Sequence, residues 1–228
     1  MVSSLPAADR ILAGLTAIAN DWRPLAVAWH GVLAAFLLWL LAGGRPSIRV
    51  VGQLLALLPL SVGMTAWFAG NPFNGTIFAM LAAIFAAMAW RQPSTAVRLA
   101  STVRVAAGLG LVVFGSSYPH FVRVDSWTTY LYASPLGVVP CPTLSVVMGV
   151  TLLVRDLHSR WWMTVLATAG LLYGAIGVFR LHVMLDLVLL LASAMLAVTL
   201  PKPSAGIGRK LLDASRTRSA RVASKEMV

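Results

Sequence analysis

Residues 50–69 read VVGQLLALLPLSVGMTAWFA, twenty positions without one charged side chain. At about 1.5 Å of rise per residue, a helix of this length covers about 30 Å, the thickness of a bilayer's hydrocarbon core. The run is too long for a strand and apolar on every face, so it predicts a membrane-spanning helix. The same test picks out 25–42, 74–90, 104–121, 137–154, 161–179 and 181–200, some at the short end of the usable range. The expected fold class is therefore all-α, a polytopic membrane helix bundle of about seven transmembrane helices. Its weakest boundary is the tight junction at residues 179–181.

Composition points the same way. The chain has 228 residues, 59% hydrophobic and 11% charged, with a formal net charge of +11. Mean hydropathy is +0.83. A soluble domain carries about 25% charged residues. These figures exclude a soluble globular enzyme, a disordered chain and a disulfide scaffold. Cys141 is the only cysteine, which excludes an intramolecular disulfide, a zinc ribbon and a Cys-x-x-Cys redox pair. Seven of the 18 basic residues fall in the last 27 positions, and the others lie mostly between apolar runs. That is no nucleic-acid footprint; it suits loops and a tail meeting anionic lipid head groups. The first 22 residues do not read as a cleavable signal peptide.

The basic residues also orient the bundle. Arg45, Arg49, Arg91, Arg98, Arg104, Arg155, Arg160, Lys202, Arg209, Lys210, Arg216, Arg218, Arg221 and Lys225 fall on one side, fourteen in all. Arg10, Arg23, Arg123 and Arg180 fall on the other, each with Asp9, Asp21, Asp125 or Asp186 nearby. The positive-inside rule puts the N-terminus outside and the C-terminus in the cytoplasm of a bacterial inner membrane. Three parts follow. Residues 1–24 are an interfacial amphipathic segment, in which Ile11, Leu15, Ile18 and Trp22 share a helix face. Residues 25–200 are the seven-span domain, and 201–228 a basic cytoplasmic tail. Small-residue stripes (Ala79, Ala83 and Ala87; Gly170 and Gly174) mark close helix packing within the bundle or in a homo-oligomer.

Polar groups concentrate in the outer leaflet. His30, the Asn71 to Asn74 loop, Tyr118, His120, Cys141, Thr143, His182 and Asp186 all fall within about 10 Å of the outer boundary. Asp186 is the sharpest, since a carboxylate in an apolar run costs roughly 2.5–3.5 kcal/mol to insert. His182, four residues earlier, is expected on its helix face, and Arg180 within reach. Pro140 and Pro142 cannot donate backbone hydrogen bonds, so carbonyls beside Cys141 and Thr143 are expected to be open for an ion. A soft metal ion could use the Cys141 thiolate with a histidine. Retinal is excluded, because Lys202, Lys210 and Lys225, the only lysines, lie beyond the last span. There is no Walker motif, HExxH or Gly-x-Ser-x-Gly.

The Trp22, Arg23, Pro24 triplet, the Asn71 to Asn74 junction, Tyr118 with Pro119, and the string Gly137, Val138, Val139, Pro140, Cys141, Pro142, Thr143 carry a resemblance, completed by Gly170, Gly174 and Asp186. Over roughly residues 10 to 200 the chain resembles a family of uncharacterised bacterial multi-pass integral membrane proteins, a domain of unknown function with a Pro-Cys-Pro-Thr motif opening the fifth helix. The loop with Arg123 and Asp125 and the basic tail depart from that pattern. The resemblance implies the fold and the choice of Cys141, Thr143 and Asp186, and no activity.

The expected function is binding or transport of a small solute or cation at an outward-facing polar pocket lined by Cys141, Thr143, Asp186, His182, His120 and His30. The alternative is a non-catalytic structural or assembly subunit of a membrane complex. An enzyme using the Cys141 thiol is the least favoured class, because a lone thiol needs a nearby base.

Overall fold

The computed structural model describes residues 7–124 and 126–200. The basic tail and Asp125 lie outside the described residues. Among them the structure is helical, with two isolated β-bridges and no strand. In chain order the helices are α1 (Ala8–Asp21), α2 (Arg23–Leu41), α3 (Ile48–Phe68), α4 (Pro72–Trp90), α5 (Thr102–Ser116), the single turn α6 (Tyr130–Ala133), α7 (Pro140–Leu153), α8 (Arg160–Ala175) and α9 (Asp186–Val198). A π-helical turn, Ile176–Arg180, continues α8.

Four helices are long and apolar enough to cross a membrane: α2, α3, α4, and α8 with its π-turn, Arg160–Arg180. The other three apolar helices are shorter than their sequence runs, with 15 residues in α5, 14 in α7 and 13 in α9. The local chemistry explains each. Pro119 disfavours continuing α5 past Ser117. Pro140 and Pro142 are tolerated only in a first turn, so α7 starts there. His182 sits at φ +56°, in the left-handed region, so 181–185 form a turn and α9 begins at Asp186, not at 181.

The bundle is built around α7, in which every residue from Pro140 to Thr151 is buried. That accounts for its being apolar on all faces. Glycines set the contacts. A Cβ on Gly108 of α5 would meet the Gly149 carbonyl oxygen of α7 at 2.6 Å. On α8, a Cβ on Gly170 would meet Ser193 Oγ at 2.1 Å, and one on Gly174 would meet the Leu190 backbone at 2.9 Å. The expected Gly170 and Gly174 pair thus seats α9 within the chain. The alanine stripe on α4 acts this way only at Ala79, whose backbone N a Cβ on Gly63 of α3 would meet at 3.0 Å; Ala83 and Ala87 are exposed, whereas Phe78, Ala82, Phe85 and Ala89 face the bundle.

Helix starts follow their caps. Ser47, Asn71 and Ser159 side chains accept from Val50, Asn74 and Trp162 backbone N–H groups. At the end of the bundle that carries these Ser47 and Ser159 caps, residues 95–100 run between two loops. Ile48 N–H bonds the Thr95 carbonyl, and Ala100 N–H bonds that of Leu153, both at 2.9 Å. Arg98 locks the arrangement through Asp156 at 2.5 Å.

At the other end, α1 seats Leu15 and Ala19 against Tyr118, Phe121, Val139, Leu181 and Val183. Asn20 ties it down, donating to the Phe121 carbonyl at 3.0 Å and accepting from Arg123 N–H at 2.9 Å. The expected amphipathic face is present, and it covers protein.

Candidate functional site

The first turn of α9 places Asp186 against the first turn of α7 and the chain leaving α5. Asp186 is 1% exposed. Tyr118 Oη donates to Asp186 Oδ1 at 2.6 Å, and the Cys141 thiol donates to Oδ2 at 3.2 Å. Three segments separated by 23 to 68 positions in sequence therefore converge on one carboxyl group. Each is fixed by its own local structure. The Tyr118 ring stacks on Phe121, and its carbonyl accepts from Ser134 Oγ at 2.9 Å. Cys141 is held in the proline-started first turn of α7. The π-turn brings Gly177 so close that a Cβ there would lie 1.8 Å from Asp186 Oδ2. π-turns within α-helices are frequent at functional sites. Asp186 also opens a helix whose N-terminal N–H groups favour negative charge.

A second buried polar pair lies beside it. Tyr173 of α8 donates to Asn74 Oδ1 of α4 at 3.0 Å, and Tyr173 is within electrostatic reach of Cys141. Buried polar side chains thus come from α4, α8, α7, α9 and the chain after α5.

The other expected site residues make their contacts outside the Asp186 carboxyl group, though His120 lies edge-on to Tyr118. Thr143 Oγ1 accepts from Gly137 N–H at 2.9 Å and donates to the Val139 carbonyl at 2.7 Å, clipping the loop onto α7. His30 links α2 to the end of α5, with its ring nitrogens 2.8 Å from the Ala26 carbonyl and 2.6 Å from that of Ser116. His120 packs edge-on against Phe121. His182 is exposed, because the helix that was to align it with Asp186 starts four residues after it.

The open carbonyls expected beside Cys141 are closed. The Gly137 carbonyl accepts from Ser61 Oγ and that of Val139 from Thr143, while that of Val138 shares the Thr65 hydroxyl, 3.3 Å away, with the Val62 carbonyl at 3.1 Å. Ser61 is in turn held by Trp29 Nε1 at 2.9 Å. The Ser61 and Thr65 hydroxyls come from α3, which sequence spacing could not align with residues 137–139. No group of three or more His, Cys, Asp or Glu that could hold a metal exists among the described residues. The expected partner of the thiol, a histidine, is replaced by Asp186 and, beyond it, Tyr118. That donor set is mainly hard oxygen and does not fit a soft metal. Neither His120 nor His182 is placed as a base for the thiol.

Two surface grooves run between α2 and α3, lined by apolar side chains including Val32, Phe36 and Leu54, and none of the six residues lines either. The sequence pattern grouped Tyr118 with the outer polar residues without assigning it to the site, and it gave no sign of Gly177 or Tyr173. The signal for Tyr118 was its place at the end of an apolar run.

The fold and site define a helical protein with four helices able to cross a membrane and a closed carboxyl, phenol and thiol cluster in its interior. Compared with protein-family models, curated proteins and solved structures, the chain matches none.

Proposed function

We propose that the chain is a seven-span protein of a bacterial inner membrane that binds or passes a small solute or cation at the Asp186 cluster. The observation that carries this reading is a carboxyl group buried in apolar protein, with both oxygens held by side chains from other segments. Intramembrane carboxyl groups facing a bundle interior mark ion, proton or substrate sites.

The seven-span reading draws on the three shorter helices. At about 20–22 Å each, α5, α7 and α9 fall short of the hydrocarbon thickness. The irregular segments 117–122, 134–139 and 181–185 complete the span, and such backbone is tolerated at membrane depth where it is buried in protein. The basic bias supports an N-terminus outside. Arg45, Arg49, Arg91, Arg98, Arg104, Arg155 and Arg160 gather at the end opposite Asp186. The tail at 201–228 adds seven more basic residues for anionic head groups. Exposed Ala83 and Ala87 leave a small-residue face for a second copy.

The alternative is a structural or assembly subunit. One observation favours it: among the described residues no buried side-chain nitrogen or oxygen lacks a hydrogen-bond partner, so the bundle is satisfied without a ligand.

Two experiments test these readings. Single cysteines in a Cys141→Ser background label from outside at Ser126 and from inside at Ser94; the reverse pattern overturns the orientation. A thermal-shift screen of purified protein against Na⁺, K⁺, Mg²⁺ and pH should give stabilisation that grows with concentration, as mass action requires. Asp186→Asn should keep the wild-type melting behaviour and lose that response. A variant that melts far below wild type, from a wild type that answers to none of these, favours the structural subunit.

A further inference from the structure

The surroundings of Asp186 narrow the cation, on the reading that this cluster is the binding site. A metal cation of the hard class collects six or more oxygen ligands. At the entry to α7 the backbone carbonyls of Gly137, Val138 and Val139 are engaged by the hydroxyls of Ser61, Thr65 and Thr143. Space is equally restrictive. Tyr118 Oη lies 2.6 Å from one carboxyl oxygen and Cys141 Sγ 3.2 Å from the other. The backbone of Gly177 closes the remaining side, where even one added methyl would overlap Oδ2. A proton is the one cation that needs neither a cavity nor further ligands.

The partners suit that exchange. An ionised carboxylate only accepts, and the two neighbours both donate to it. A thiol is a weak donor and a weak acceptor, so the Cys141 link can reverse, whereas the Tyr118 link at 2.6 Å can persist.

We propose that the cation taken at this site is a proton, held on Asp186 Oδ2, and that its arrival reverses the hydrogen bond between Asp186 and Cys141. The carboxylate takes one proton from a hydronium ion, leaving water, and becomes a neutral carboxyl group. Its new O–H donates to Cys141 Sγ, and the thiol hydrogen turns away; no electrons are exchanged. The link between α7 and α9 thereby changes from thiol-to-carboxylate to carboxyl-to-thiol. The other titratable or charged groups on neighbouring elements are Tyr173 on α8, within electrostatic reach of Cys141, His120 beside Tyr118, exposed Arg180 on the π-turn and exposed His182 on the turn before α9.

The test uses the full chain in liposomes and infrared difference spectra between high and low pH. Cys141 is the only cysteine, so the S–H stretching band belongs to it alone. A carboxylic C=O band should appear as pH falls, sensitive to H/D exchange, and the S–H band should shift with the same midpoint. Asp186→Asn should abolish the C=O band and leave the S–H band independent of pH. Cys141→Ala should keep the C=O band. If Asp186→Asn does not fold, the shared midpoint in the wild type decides, and two different midpoints overturn the proposal. Calorimetric titration with Na⁺, K⁺ and Mg²⁺ separates the two levels of the argument. Asp186-dependent binding of one of these ions, without a C=O band, overturns the proton assignment and leaves the cation site standing. Absence of both the band and ion binding overturns both.

Discussion

Gly177→Ala tests whether the π-turn and Asp186 are as tightly matched as the geometry requires. The added Cβ would lie 1.8 Å from Asp186 Oδ2, 2.5 Å from Cγ and 2.7 Å from Cβ. Ordinary van der Waals contact begins near 3.4 Å. The carboxylate must therefore retreat by about 1.6 Å, which its 3.2 Å bond from Cys141 cannot follow. Overpacking of this kind costs about 1–3 kcal/mol. A lost hydrogen bond to a buried carboxylate adds about 1.5–3 kcal/mol. Alanine's better helix propensity returns at most about 1 kcal/mol. The expected net loss is about 2–4 kcal/mol, with the lower part of that range favoured by the modest values measured for hydrogen bonds between membrane helices. Equilibrium unfolding in SDS, followed by circular dichroism, measures it. Gly110→Ala is the control, because a Cβ there has nothing within 4 Å. It should be neutral or slightly stabilising. Equal stability of the two variants would refute the reasoning, because the carboxylate would then have room that the structure denies it.

Two further outcomes follow from other parts of the molecule. Thr143→Val should lose about 1–3 kcal/mol in the same assay, because it leaves the buried Gly137 N–H without its acceptor; a loss below about 0.5 kcal/mol would mean the clip is dispensable. His158 lies in the loop before α8, where its Nε2–H donates to the Thr151 carbonyl and its Nδ1 accepts from Arg104, both at 2.9 Å. Burial, and after it the charge of Arg104, holds the imidazole below its ordinary range. The unfolded chain then binds the proton more readily, so stability is full above about pH 6.5 and falls as pH drops through that value toward the folded-state value. Thermal unfolding between pH 8 and pH 5 should show this slope, and His158→Gln should flatten it; an unchanged slope would place its origin elsewhere.

Much of the architecture is legible in residues 50–69 and their counterparts. Lipid cannot hydrogen-bond a backbone, so long apolar runs have to be helical, and length alone separates one span from the next. Where a span ends is less legible. The run at 181–200 is apolar apart from His182, Asp186 and two hydroxyls, yet α9 starts at Asp186, because residues 181–185 close a turn back onto the π-helix. Val183 N–H bonds the Gly177 carbonyl at 2.9 Å. Nothing in hydropathy distinguishes that turn from a helix.

The chain by itself determined that Asp186 and Cys141 were unusual, since a carboxylate in an apolar run is costly wherever the helices lie and the prolines flanking Cys141 cannot donate helix hydrogen bonds. Its apolar face at Leu15 and Ile18 likewise followed from local periodicity. Only the tertiary structure decided that the two site residues, 45 positions apart, meet; that Tyr118 completes their cluster; and that Ser61 and Thr65 close the carbonyls expected to be open. The order of helices around α7 is set by backbone approach at Gly108, Gly149, Gly170 and Gly174. Periodicity is a property of one helix and its solvent. Which hydroxyl meets which carbonyl is a property of two helices packed against each other, and it exists only once they are packed.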